Sequence, residues 1–187
     1  MAMTGNRSSR FIVFMLIVWI ALGFPAAPAT AFPEEKPVRE YDLKAAFLYN
    51  LLKFVNWPDQ IQARSHLVIG ILGEDPFGAS IEVLKDKMIG RRRIFIRRGL
   101  SLQALKRCDV LFVSRSESEK VERVVRSAFS THTLVVGDTA GFAERGVMIN
   151  FFLHEKKVRF EINVDTARRA KLTVSSQVLK LGRVIQE

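Results

Sequence analysis

The sequence predicts an α/β domain with a mainly parallel sheet, and three observations support this fold class. Between residues 67 and 136, short apolar runs rich in β-branched residues alternate with stretches of helical period. The runs are apolar on both faces, as strands are when helices cover both sides of a parallel sheet. The last third of the chain instead carries two strand-like runs joined by a polar turn. We therefore expect helices on both faces of the sheet and a C-terminal antiparallel hairpin.

The composition fits one globular domain. The chain has 187 residues, of which 48% are hydrophobic and 26% charged, and this excludes disordered, collagen-like and multi-span membrane proteins. The formal net charge of +10 makes nucleic acid, anionic lipid or an acidic protein conceivable partners. Cys108 is the only cysteine, so neither an internal disulfide nor a zinc site of clustered cysteines can stabilise the fold.

Residues 1–31 have the pattern of a cleavable secretory signal. Arg7 and Arg10 precede an apolar run at residues 11–24, which is followed by proline and small residues up to Ala31. The run is shorter than the roughly 20 apolar residues that a spanning helix needs, which favours cleavage after about Ala31 over an uncleaved anchor. We therefore place the mature protein in the periplasm, peripheral to the inner membrane at most. Nucleic acid is scarce there, so we exclude it as a partner.

The mature chain divides into a linker at residues 32–40 and one domain at residues 41–187. The linker is polar and contains two prolines, which is typical of a segment outside a fold. The domain opens with a predicted helix over residues 41–55. This helix is apolar around most of its circumference, so we expect it to be largely covered.

The remaining elements follow from the period of the apolar residues. Strands are predicted at residues 67–72, 94–96, 110–113 and 133–136. Helices are predicted at residues 76–87 and 117–129, with a short turn at residues 101–106. The hairpin strands are predicted at residues 147–153 and 158–164. Two last helices are predicted, at residues 165–170 and from Ser175 or Ser176 through residue 185, each with a capping side chain at its start.

Two glycine-containing turns have the spacing of nucleotide-binding loops without their deciding residues. Gly73 and Gly78 match a P-loop, but Ala79 stands where the phosphate-binding lysine belongs. The turn at residues 137–141 is similar to a GTPase loop, and no base-recognition motif accompanies it. We interpret both as tight turns between a strand and a helix.

A second hypothesis concerns these same loops. The loops after the first, third and fourth predicted strands fall at one edge of an open parallel sheet, where ligands of such folds usually bind. The candidate ligand residues in them are Asp75, Phe77, Gly78, Ser114 and Asp138. The simpler interpretation is that Asp75 and Asp138 cap the helices that follow them.

No motif points to catalysis. His66, His132 and His154 are scattered without the spacing of metal ligands, so we expect no metal and no cofactor. Cys108 precedes an apolar strand, where a free cysteine is usually a small buried hydrophobe. We therefore predict that the protein is not an enzyme, although a convergent nucleophile and base in the structure would restore a hydrolase as an option.

Three groups of residues are candidates for binding a protein partner. The first helix is apolar on more faces than one core contact requires, which singles out Tyr41, Lys44, Phe47 and Tyr49. The densest basic patch is Arg91, Arg92 and Arg93, which is either a solvated turn or a footprint for phosphate groups or an acidic protein. The polar stripe Arg159, Glu161 and Asn163 is either functional or the wet face of the hairpin, and we favour the wet face.

Several motifs, taken in order, resemble the YfiR family. They are YDLKAAFLYN at residues 41–50, KF at 53–54 with WP at 57–58, IGILG at 69–73 with DPFG at 75–78, CDVLFVS at 108–114, MINF at 148–151, VRFEIN at 158–163 and ARRA at 167–170. The match covers nearly the whole mature chain at the family's spacing. It is therefore far more specific than any single glycine motif.

The resemblance implies a periplasmic regulatory protein without enzymatic activity. Such a protein binds the periplasmic sensory domain of an inner-membrane diguanylate cyclase, or of another sensor enzyme, and holds it inactive. Cyclic-di-GMP synthesis and biofilm formation then respond to conditions outside the membrane. The resemblance leaves a homodimer open. Redox-controlled members carry further cysteines, whereas this chain has only Cys108, so an internal disulfide switch is excluded. The alternative is a small-ligand-binding sensory module without a cyclase partner.

Overall fold

The computed structural model describes residues 40–186, which contain ten strands. In chain order they are β1 (Val55–Asn56), β2 (His66–Leu72), β3 (Met88–Ile89), β4 (Arg92–Gly99), β5 (Val110–Val113), β6 (Leu134–Gly137), β7 (Ile149–His154), β8 (Lys157–Asn163), β9 (Thr173–Val174) and β10 (Arg183–Ile185). Eight of them form one sheet in the order β10-β8-β7-β6-β5-β2-β4-β3. The short strands β1 and β9 pair separately with each other.

The central strands of the sheet are parallel to one another, and the strands at both ends run antiparallel to these central strands. Strand β2 pairs in parallel with β4 and β5, β5 with β6, and β6 with β7. Strand β8 returns antiparallel to β7, so that Phe151 lies opposite Phe160, and β10 runs parallel to β8. Strand β3 adds a short antiparallel pair beside β4. The predicted fold class, including the C-terminal hairpin, is confirmed.

Helices cover the sheet on both faces. They are α1 (Glu40–Leu52), α2 (Asp59–Gln62), α3 (Val121–Thr131), α4 (Val164–Arg169) and α5 (Ser176–Leu179), with 3-10 turns at Gly78–Leu84 and Arg115–Lys120. Successive residues of β5 show the two faces. The Phe112 ring lies 4.7 Å from the Phe77 ring on the α1 face, whereas Leu111 shares a cavity wall with Ala128 of α3 on the other.

Helix α1 runs along its face from one edge of the sheet to the other. Its first turn reaches Asp138, which follows β6 at the carboxyl edge. Just beyond its end, Trp57 packs against Arg92, whose Nε donates to the His66 carbonyl at the amino edge. Thirteen residues give a helix of about 20 Å, close to the length of a seven-residue strand such as β2. The helix buries Ala45, Leu48 and Leu52 completely.

Two predicted helices are wrong in part. The last helix ends at Leu179, and residues 183–185, predicted as helical, form β10 instead. The helix ends three residues before Gly182, and the edge of β8 gains a partner when the chain turns extended. The helix predicted at residues 76–87 is a 3-10 turn at Gly78–Leu84, after which the chain enters β3.

Part of the predicted organisation lies outside the described residues. The predicted signal at residues 1–31 and all but the last residue of the linker belong to that part of the chain. Within residues 40–186, no helix combines the length and the hydropathy needed to cross a bilayer.

Candidate functional site

The loops at the carboxyl edge do come together, and they bond mainly to one another. The Glu74 amide donates to Ser116 Oγ at 3.0 Å, and Ser114 Oγ donates to the Leu72 carbonyl at 2.5 Å. Gly73 has φ +89°, and a Cβ at this position would lie 2.8 Å from Glu117 Cγ. Glycine is therefore required for the close approach of these two loops.

The first turn of α1 fills the remaining part of that edge. Asp138 accepts a hydrogen bond from the Tyr41 hydroxyl at 2.9 Å and from Lys44 Nζ at 2.7 Å. The Lys44 and Asp138 side chains are 3% and 6% exposed. Glu40 pairs with the same ammonium group at 2.5 Å. Burial, followed by the charge of Asp138, raises the pKa of the Tyr41 hydroxyl, so this phenol stays protonated as a donor. The predicted ligand edge is thus occupied by the chain's own helix.

The other loop candidates are also engaged within the protein. Asp75 Oδ1 accepts from the Phe77 amide at 2.8 Å, and its Oδ2 accepts from Arg98 Nε at 2.7 Å. The Phe77 ring packs edge-on against the rings of Tyr41 and Phe112. Gly78 has φ +54° and begins the 3-10 turn. Asp75 therefore closes the loop that precedes the 3-10 segment and does not cap that segment, which begins after Phe77 without a side-chain cap, whereas Asp138 anchors α1.

The α1 candidates for a partner surface separate into buried and accessible residues. Lys44 is buried and cannot contact a partner in this state. The Tyr49 hydroxyl donates to the Met88 carbonyl at 3.2 Å, and Tyr41 is held at Asp138. Phe47 remains 36% exposed, with its ring 6.3 Å from that of Phe160.

The basic triplet is not one continuous patch. Arg92 is 2% exposed, whereas Arg91 and Arg93 on either side face solvent. Arg92 Nη2 lies 2.9 Å from Asp109 Oδ1, and Asp109 Oδ2 accepts from the Val68 amide at 2.8 Å. Burial lowers the pKa of the Arg92 guanidinium, and Asp109 opposes that effect. The alternation of β4 gives the signal for this burial, because Arg92 shares a strand face with Ile94.

The prediction that the hairpin stripe is a wet face is wrong for two of its three residues. Glu161 and Asn163 are buried, and only Arg159 is exposed. Glu161 accepts from Asn150 Nδ2 at 3.1 Å and pairs with Arg183 of β10. Asn163 donates to a carbonyl in the segment that follows β6, at Ala143, and it caps α4 by accepting from an amide there. That segment and β10 cover the stripe.

The structure instead brings together an apolar surface that sequence reasoning missed. It joins α1 to the edge strand β10 and is called the apolar strip here; its residues are Leu43, Phe47, Leu181 and Val184, which are 36%, 36%, 73% and 40% exposed. Phe160 lies between the two elements: its ring contacts Phe47 on one side and the backbone at Gly182 on the other. The assignment of residues 181–185 to a helix concealed this surface.

Cys108 and the histidines do not form a reactive centre in the described range. Cys108 is 4% exposed, and burial raises the pKa of its thiol to about 11, so the thiol is protonated at neutral pH. Residues 40–186 contain no cluster of three His, Cys, Asp or Glu side chains suited to a metal ion.

Comparisons with known proteins support both the fold and the family. A crystal structure of a conserved domain protein from Vibrio cholerae O1 biovar El Tor strain N16961 is similar to the chain, with a TM-score of 0.54 at 13% sequence identity. The alignment covers 79% of this chain and 60% of that one, and at this identity it supports the fold alone. No curated protein matched the chain.

The family model DUF4154, described as YfiR/HmsC-like, matches residues 41–183. This match spans most of the chain and confirms the resemblance drawn from the motifs. The chain therefore belongs to the YfiR/HmsC-like family, whose members are periplasmic regulatory proteins.

Proposed function

We propose that this protein binds the periplasmic sensory domain of an inner-membrane diguanylate cyclase and represses cyclic-di-GMP synthesis. The apolar strip is the observation that carries this proposal, because it offers a protein partner a surface that combines a helix with a sheet edge. The family supplies the class of partner. The filled carboxyl edge adds support, since the usual ligand position of an open parallel sheet is taken by α1.

The physical case for the strip is its apolar character. Leu43 and Phe47 stand one helical turn apart on α1 and present one face. Leu181 and Val184 continue the apolar surface at the last strand of the sheet. Contiguous exposed apolar side chains of this kind mark interaction sites on soluble proteins. Within residues 40–186, no strand pairs with the outer backbone groups of β10, so a partner can also hydrogen bond there.

Repression then follows from differential affinity. The protein binds the inactive conformation of the cyclase sensory domain more tightly than the active one, and the ratio of the two affinities sets the limit of control. A ratio of about 100 corresponds to about 2.7 kcal/mol. Loss of one apolar contact in the strip would weaken binding to the favoured state and release the cyclase.

The experiment compares cyclic-di-GMP levels in a deletion strain that is complemented with variants. We expect deletion to raise cyclic-di-GMP and surface attachment, and the wild-type gene to restore both. Leu181→Asp should fail to restore them, because it places a charge in the apolar strip. Leu181 is 73% exposed, so this change leaves the core intact.

The matched control is Leu100→Asp. Leu100 is 78% exposed and directly follows β4, which lies near the opposite end of the sheet from β10, so this variant should repress like the wild type. Immunoblots of periplasmic extracts establish equal amounts of all three proteins. Unchanged cyclic-di-GMP after deletion would exclude the proposal, and equal repression by both leucine variants would exclude the strip.

A further inference from the structure

A cavity lies at the amino edge of the sheet, where α1 ends. It has a volume of about 300 Å³ and opens between the end of α1, Trp57 and the turn that joins β3 to β4. Its wall includes Leu52, Val55, Trp57, Ile89, Arg91 and Arg92. The first turn of α1 contacts Asp138 at the opposite, carboxyl edge of the sheet. The cavity is therefore separate from the cluster of Tyr41, Lys44 and Asp138.

Two buried hydrogen-bond donors of the cavity wall have no partner. Trp57 is 5% exposed and Arg92 is 2% exposed. Trp57 Nε1 and Arg92 Nη1 have no hydrogen-bond acceptor among the described residues. Arg92 Nε bonds to the His66 carbonyl, and Nη2 lacks a hydrogen bond of good geometry but forms an ion pair with Asp109 at 2.9 Å. The guanidinium carbon lies 5.1 Å from the centre of the indole ring, which brings the two unsatisfied donors into one neighbourhood. Buried donors of this kind normally meet an acceptor.

The charge and polarity of the cavity wall indicate which kind of ligand would accept hydrogen bonds from these two donors. Three cations, Lys53, Arg91 and Arg92, line the cavity, and no carboxylate does so among the described lining residues. Asp109 offsets part of the Arg92 charge from behind the wall. Leu52, Val55 and Ile89 supply apolar surface beside the donors. A fitting ligand therefore has an anionic head with acceptor oxygens and an apolar body.

We propose that this cavity is a binding site for a small carboxylate with an apolar chain. The two carboxylate oxygens accept hydrogen bonds from Trp57 Nε1 and Arg92 Nη1, and Arg91 adds charge at the rim. The aliphatic part packs on Leu52, Val55 and Ile89. A phosphate group shares the anionic head chemistry but has more oxygens than the free donors can satisfy, and it leaves the apolar wall uncovered.

The test uses hexanoate as the probe and the purified exported protein. Calorimetric titration should show saturable binding of hexanoate that weakens as salt increases, whereas neutral hexanamide should bind at least tenfold more weakly. In ¹H–¹⁵N spectra, hexanoate should shift the indole N–H signal of Trp57, which the spectrum of Trp57→Phe identifies. Inorganic phosphate, titrated separately, should neither saturate the site nor compete with hexanoate.

A pair of surface variants separates this site from general attraction to a basic protein. Arg91→Gln removes a rim charge and should weaken hexanoate binding about fivefold. Arg97→Gln makes the same change of charge at an exposed position that does not line the cavity, and it should leave the affinity unchanged. The proposal is overturned by absent hexanoate binding, by equal binding of hexanamide, by an unmoved Trp57 signal, or by equal effects of the two arginine variants. Saturation by phosphate alone would overturn the assignment of an apolar carboxylate.

Discussion

Lys44 is a charged residue on an apolar helix, and its position is explained by Asp138. Moving an ammonium group out of water costs several kcal/mol, which only a close and well-bonded partner can offset. Asp138 supplies one oxygen at 2.7 Å, and Glu40 supplies another at 2.5 Å. The Tyr41 hydroxyl donates a second hydrogen bond to the same Asp138 oxygen, Oδ2. The cluster therefore fixes where α1 begins on the sheet.

Removing the ammonium group should be costly. In Lys44→Met, Asp138 stays buried without its cation, and we expect the free energy of unfolding to fall by about 3 kcal/mol in urea titrations. The double variant Lys44→Met, Asp138→Asn removes both charges and should recover at least half of that loss. If the single variant is as stable as the wild type, the cluster does not anchor α1.

Cys108 gives the protein a defined weakness at alkaline pH. Its pKa is raised from 9.0 to about 11 by burial, so the folded state holds a proton that the unfolded chain releases. The stability from this group is complete below pH 9 and is lost as pH rises through 11. We expect the wild type to lose about 2 kcal/mol more than Cys108→Ala between pH 8 and 11, as measured by urea unfolding.

Two checks accompany this prediction. Tyr41 has a raised pKa with the same sign, and both proteins retain it, so a smaller alkaline loss common to both is expected. The native Cys108 thiol should also resist alkylation at pH 8, because it is buried and protonated. Parallel pH profiles for the two proteins would contradict the assignment.

At the scale of elements, β10 shows where sequence patterns fail. Residues 183–185 have too few positions to display the alternation of a strand, and a capped helix start at Ser175 favoured continued helix. The deciding interaction is non-local: Gly182 lies against Phe160 of β8, and Arg183 pairs with Glu161. The buried strands β2, β5 and β6 were predictable, because a continuous apolar run indicates a buried strand and the ends of the run indicate where the strand begins and ends.

Gly182 should not tolerate a side chain. A Cβ there would lie 2.6 Å from a ring atom of Phe160 and 3.0 Å from Ile162. We expect Gly182→Ala to lower the free energy of unfolding by about 1–3 kcal/mol, because the core must shift to admit the methyl group. Leu181→Ala, at the exposed neighbour, should stay within about 0.5 kcal/mol of the wild type. Equal stability of Gly182→Ala and the wild type would contradict this packing.

On the scale of the whole molecule, the sequence predicted the fold class and the family better than the site. The hydrophobic period and the order of the motifs can be read from the local sequence, without knowledge of which distant residues come into contact. Which polar residues are buried depends on pairings across the sheet, as Arg92 with Asp109 and Glu161 with Arg183 illustrate. The partners in each pair are distant in sequence, so Arg92 was assigned to a basic patch and Glu161 to the wet face of the hairpin.

Export is a prediction that rests on residues 1–31. Cleavage after about Ala31 should leave a mature protein that begins at Phe32 and carries two fewer positive charges than the full chain, whose net charge is +10. Intact mass and N-terminal sequencing of the protein from periplasmic extracts would measure this directly. A variant with Ala29→Asp and Ala31→Asp should accumulate uncleaved. Full-length protein in the wild-type extract would contradict the prediction.

Because α1 occupies the carboxyl edge, it acts there as a tethered competitor. A solute that binds Asp138 would have to displace Tyr41 and Lys44. These residues belong to the same chain, so after displacement they remain close to Asp138 and compete with the solute. If docking of the first turn is worth about 3 kcal/mol, the free edge exists in roughly one molecule in a hundred, and the apparent affinity of the solute falls by the same factor. The helix thus gives the protein a permanent substitute for a ligand at the carboxyl edge.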